Sequence, residues 1–252
     1  MGSPSDRDSG RHAVDLAAMD GEARRARRAL CRALTDGFEQ VGERLILGGH
    51  IIGPDRVDGT SPFGNGDDSL VALGYLSRTA AALVGGASQM LDVGNRYAAG
   101  TLTRQLVEVE YLHWAFAEDH DEAAAWLRSN RDDRLKRWQP RHLRERSGGR
   151  FRGVDYAEHC EHGGHPTPGG ARSLLRTDSG TQAECLHYEL AHHGASTWEY
   201  LLMAIKANAD HRGWEHPLPD LDVVSTAISD WHLHDRFGEV WETSAASRTP
   251  EA

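Results

Sequence analysis

Apolar residues in this chain recur at steps of three and four and nowhere alternate over a strand's length, which restricts the fold to packed helices. Leu30, Leu34, Phe38, Val41 and Leu45 mark the apolar face of a helix expected over about residues 13–47, with Gly48 and Gly49 as its stop. Its other face, with Arg24, Arg25, Arg27 and Arg28, is expected in solvent. Gly, Pro and Asp make residues 52–68 a loop, and Asp67 or Asp68 would cap a second helix over about 69–91, weakened by Gly85 and Gly86. Further helices are expected over about 98–117, over 119–138 (ending before Pro140), over 182–209, and over 220–237 after Pro217 and Pro219. Residues 147–181 form a long Gly- and His-rich connection of the kind that is either functional or disordered. Residues 1–12 and 244–252 carry no periodic pattern and read as tails. The expectation is an all-α, single-domain bundle of about six helices over residues 13–243.

A chain of 252 residues has ample apolar material for a core without disulfides. Its 38 acidic and 28 basic side chains leave a net charge of −10, which argues against a whole surface built for nucleic acid or anionic lipid. No apolar run approaches about 18 residues, so no membrane association is expected. Cys31, Cys160 and Cys185 are odd in number, and no secretory segment follows Met1, which suggests a reducing cytoplasm. Histidine stands out: 15 residues, heavily clustered, point toward imidazole chemistry.

Three Glu-x-x-His pairs lie on expected helices: Glu110/His113, Glu184/His187 and Glu189/His192. Residues three apart share a helix face, which is how di-metal carboxylate bundles gather ligands. His113 falls in the stripe of Leu102, Leu106, Val109 and Phe116, and His187 falls with Leu190, Trp198, Leu201 and Ile205, so both pairs should point inward. Glu189/His192 takes the polar side. The segment 158–166 adds His159, Cys160, His162 and His165, whose imidazoles and thiolate suit Zn, Fe or Cu and could complete a site if the loop folds over the bundle. Their plainer role is as hydrogen-bonded core or loop residues. Ten Arg or Lys between Arg128 and Arg152 form a basic strip that could track a phosphate backbone or simply be a solvated face. Within it Arg137/His142 and Arg152/His159 have the Arg-x4-6-His spacing of some ribonucleases, a pattern that an Arg-rich sequence also produces by chance.

The helix with Arg104-x-Leu106-x-Glu108 followed by Tyr111-Leu112, together with Tyr156 and the His165-Pro166 pair, resembles a bacterial family of all-helical proteins of unknown function. It is similar, more loosely, to the helical HEPN superfamily, many of whose members are ribonucleases of toxin or phage-defence systems. The resemblance implies an all-helical fold and singles out Arg104, Glu108, Tyr156, His165 and Pro166.

The leading expectation from the residues is a metal-dependent enzyme acting on a small-molecule substrate. Glu110, His113, Glu184 and His187 would hold Fe, Mn or Zn, helped by His159, His162 or His165, and the ion would activate water or dioxygen. Arg104 and Glu108, one turn apart, would form an ion pair that orients the helix or supports the ligands from behind. The alternative is an RNA-binding or RNA-cleaving protein using Arg137, Arg141, His142 and Arg152. A third reading is a non-catalytic interaction protein.

Overall fold

The computed structural model describes residues 21–164, 166–172, 181–213 and 222–239. Among these are ten α-helices, one π-helical turn and no strand. In chain order they are α1 (Gly21–Ile51), α2 (Asp68–Asp92), α3 (Arg96–Glu118), α4 (Asp121–Arg128), α5 (Arg131–Arg137) and α6 (Pro140–Arg146). After them come α7 (Gly153–His159), the π turn Cys160–Gly164, α8 (Pro168–Arg172), α9 (Thr181–Arg212) and α10 (Asp222–His234). Both expected tails, and His165, lie outside the described residues.

The periodic stripes do what their spacing requires. Leu30, Leu34, Phe38, Val41 and Leu45 are all buried and join Leu73, Val84, Leu106, Phe116, Leu190 and Leu201 in one continuous core shared by α1, α2, α3 and α9. Trp198 of α9 sits at its centre with its ring edge-on to Phe38, centroids 5.2 Å apart. Asp67 caps α2 as expected, its carboxylate accepting from the Leu70 amide at 3.0 Å. By length and composition α2 could cross a membrane, but 61% of its most apolar window is buried inside the protein.

Several expectations need correction. α1 does not stop at Gly48 and Gly49 but runs to Ile51. A Cβ at Gly49 would come within 2.9 Å of the Asp67 carbonyl, so this glycine permits close packing of the α2 entry. Gly42 and Gly74 do the same where α1 crosses α2, each facing the other's carbonyl. Arg27 is fully buried: it lies on the Leu30/Leu34 side and is sheathed by the Asp235 and Glu184 carboxylates. The fourth helix is two, because Asn130 adopts extended angles and starts α5 through a reciprocal capping box with Asp133. The expected long connection carries α7, the π turn and α8. The expected count of about six helices is thereby exceeded.

The loop 52–68 is built around acids. Asp55, Asp67 and Asp68 are buried there, with Arg128 from α4 donating to Asp68 at 2.6 Å and to Asp55 at 2.8 Å. Arg212 at the end of α9 faces Asp67 with its Nε 3.2 Å away, an ion-pair contact whose angle falls short of a hydrogen bond.

Candidate active site

A pocket of about 230 Å³ opens where α3, α9 and the segment 150–159 meet. Helical spacing assembles it: Val107, Glu110 and Tyr111 lie on one face of α3, and His192, His193, Ser196 and Tyr200 on one face of α9. The third wall is Arg150, Phe151, Arg152, Asp155 and His159. Phe151 anchors that wall by packing on Tyr111 at 4.1 Å and edge-on to Trp114 at 5.3 Å.

At its floor is a chain of three polar side chains. The Glu110 carboxylate lies 2.7 Å from His193 Nδ1, and His193 Nε2 lies 3.1 Å from His159 Nε2. His159 Nδ1 faces Glu189 at 3.9 Å. Each imidazole thus turns Nδ1 toward a carboxylate and Nε2 toward the other ring. Burial disfavours a charged His193, but the Glu110 carboxylate and its hydrogen bond outweigh that and raise its pKa above the ordinary histidine value; Glu189 and Asp155 add to the effect. Two facing ring nitrogens this close need an electrophile between them, and a proton held on His193 supplies one.

Beside the pocket, Arg104 Nη2 lies 2.8 Å from Glu108 and donates to the Tyr156 hydroxyl at 2.7 Å, while that hydroxyl donates to Glu108 at 2.8 Å. Arg104 Nε also donates to Cys160 Sγ at 3.3 Å. Burial and then the bond to Glu108 push the Tyr156 phenol up, so it stays a donor. This cluster fixes α7 on α3 and thereby sets the height of His159, one turn beyond Tyr156.

The expected metal ligands do not come together. Glu110 is taken by His193, and Glu184 lies 2.8 Å from Arg24 and 2.9 Å from Arg27. His113 is fully buried with neither ring nitrogen hydrogen-bonded, and burial drives its pKa down to about 3 despite the Val109 carbonyl one turn back. His187 is buried with Nε2 unpartnered, and burial, helped by Arg28, takes it to about 4. The inward direction of both histidines is as expected, but neither meets the carboxylate of its Glu-x-x-His partner. His159 reaches the pocket, His165 lies outside the described residues, and the same holds for the side chain of His162. Burial pushes the Cys31 and Cys185 thiols up to about 12, which leaves them unreactive.

Four of the ten cations of the basic strip, Arg128, Arg137, Arg146 and Arg152, are paired with acids. Arg128 turns inward to Asp55 and Asp68, while Arg137 and Arg146 converge on buried Glu122. His142 faces Glu145 at 3.4 Å, with Arg141 alongside, both away from the pocket. Arg152 is bound to Asp155 at 2.9 Å and lines the pocket rim, so the Arg152/His159 pair shares this pocket with His193 and its Glu110 carboxylate. His193, Asp155, Arg150 and Tyr200 escaped sequence reasoning. The available sequence signal is the i, i+3, i+7 spacing of His193, Ser196 and Tyr200, which places them on one face of α9.

Comparison with protein-family models, with curated proteins and with solved structures finds nothing that matches this chain.

Proposed function

We propose that this protein is an RNA-cleaving enzyme whose active site is the Glu110–His193–His159 relay. The core shared by the long helices supports reading the chain as one domain that carries this site. The observation that carries the proposal is the relay itself, lying in an open pocket under Arg150 and Arg152. Arg150 is exposed and bonded only weakly, to the Tyr200 hydroxyl at 3.3 Å, so its guanidinium is well placed to take a phosphate. In the reaction His159, its Nε2 turned from His193 to the substrate, takes the proton of a ribose 2′-hydroxyl, whose oxygen attacks the adjacent phosphorus. The P–O bond to the 5′ oxygen breaks, His193 gives the proton it already holds to that oxygen, and a cyclic 2′,3′-phosphate remains, with the proton taken up now on His159. Glu110 holds the positive charge on His193 until that proton is given up.

The test is a full-chain assay on a mixed-sequence RNA, with the same strand in 2′-deoxy form as control. Cleavage of the RNA alone, lost in His193→Asn and His159→Asn and unaffected by EDTA, is expected. Intact RNA, or cleavage that survives both substitutions, overturns the proposal.

A second reading has its own observation. Two nitrogens bound to one tetrahedral ion at about 2.0–2.1 Å lie about 3.3 Å apart, close to the Nε2 separation, and Glu110 on Nδ1 is the usual support for a ligating histidine. On that reading His159 and His193 hold a zinc-class ion, and EDTA abolishes activity.

A further inference from the structure

Away from the pocket, the start of α4 meets the end of α9. His120 occupies the position before α4 and makes no capping bond with its side chain, Asp121 opens the helix, and His211 stands in the last turn of α9. The two imidazoles are stacked face to face, centroids 3.6 Å apart and planes 21° from parallel. His120 Nδ1 lies 3.0 Å from the Asp121 carboxylate. One ligand atom from each of the three residues falls within 4.8 Å of the others, and no other group of three His, Cys, Asp or Glu among the described residues does so.

We propose that His120, Asp121 and His211 form a binding site for a zinc-class divalent cation. Two imidazoles and one carboxylate are the borderline donor set that such ions select over calcium or magnesium, and three protein ligands leave a position for water. The donors must close to about 3.3 Å from one another around the ion. The two rings must also turn out of their stack so that each in-plane lone pair points at the ion, a movement that falls on accessible side chains, since Asp121 is 83% exposed and His120 32%. Glu118 and Asp119, which precede the site, and the negative end of the α9 dipole at His211 favour a cation and work against the positive N-terminus of the short helix α4.

The ion would clasp two helices that already converge on the same buried acids. Arg128, ending α4, and Arg212, next to His211, both reach Asp55. A bound ion would therefore hold the last turn of α9, and Arg212 with it, in register against the loop 52–68.

The test is calorimetric titration of zinc into metal-stripped, untagged full chain, with thermal unfolding measured in zinc and in EDTA. One ion per chain and a higher Tm in zinc are expected. His120→Gln/His211→Gln should weaken binding by more than about tenfold and abolish the Tm gain while leaving the Tm in EDTA unchanged. Asp121→Asn, which removes no packing, should weaken it in the same direction. Absence of stoichiometric binding overturns the proposal. So does binding that persists in both variants but is lost in His159→Gln/His193→Gln, which would place the ion in the pocket instead. The outcome is independent of whether the protein cleaves RNA.

Discussion

Lowering the pH from 7 to 5 should destabilise the protein through two histidines that burial keeps neutral. His113 and His187 have pKa values of about 3 and about 4 in the folded chain against 6.5 when unfolded. A depressed histidine pKa means that the unfolded chain binds more protons below pH 6.5, so stability is flat above that value and falls as the pH drops toward the folded pKa. At about 1.4 kcal/mol per proton and pH unit, each ring withdraws about 2 kcal/mol between pH 7 and pH 5, a sizeable part of a total of about 5–15 kcal/mol. His193 works in the other direction: its raised pKa gives stability that is fully present below 6.5 and lost as the pH rises through the folded value. The His113→Leu variant isolates one term. Leucine has a similar volume and needs no partner, so the variant should be at least as stable as wild type at pH 7, because two unpaired buried nitrogens disappear. At pH 5 it should gain about 2 kcal/mol more over wild type. Urea unfolding at the two pH values measures this as a midpoint shift at constant m-value. An unchanged wild-type-to-variant difference between pH 5 and pH 7 would refute the claim that His113 is held neutral by burial.

Glu110→Gln should lower the His193 pKa toward or below the ordinary value, followed by NMR of the imidazole protons, and should reduce RNA cleavage by about 10²–10⁴-fold while leaving the fold intact. Arg128→Ala leaves Asp68 buried without its cation and Asp55 with only the longer contact to Arg212, and should cost about 3–5 kcal/mol in urea unfolding; equal stability would show that water replaces the guanidinium. Trp198→Ala empties the centre of the core and should cost about 3–5 kcal/mol, read as a Tm loss by circular dichroism. Asn130→Ala removes one half of the α5 capping box and should cost only about 1 kcal/mol, because that helix buries no residue.

The long helices were legible because their apolar stripes are set by the same packing that holds them: Leu30 to Leu45 reads as a buried face and is one. What misled was chemistry whose meaning depends on a partner far along the chain. Glycine in α1 reads locally as a stop, yet Gly42 and Gly49 are there to let α2 approach, a requirement visible only once residues 67–74 are in place. Arg27 reads as solvated until Asp235, 208 positions away, supplies its counter-charge. The short helices α4 and α5 have too few apolar positions for a periodic signal, and their boundary is set by a single capping asparagine.

The same dependence explains the fate of the candidate site. The spacing Glu110/His113 correctly puts both side chains on the inner side of α3, but spacing within one helix cannot say what the opposite helix offers. His113 is fully buried and Glu110 meets His193. The Glu-x-x-His motif therefore leads to a residue of the proposed site by a different route: Glu110 lies behind a histidine on another helix, not behind His113. His159 entered through loop chemistry, and its position depends on Tyr156, whose hydroxyl is tied to Glu108 and Arg104. The cluster expected to orient a helix thus also positions the His159 ring of the proposed site. Breaking it with Tyr156→Phe should leave RNA binding intact and lower the cleavage rate; an unchanged rate would mean that His159 is placed by its contact with His193 alone.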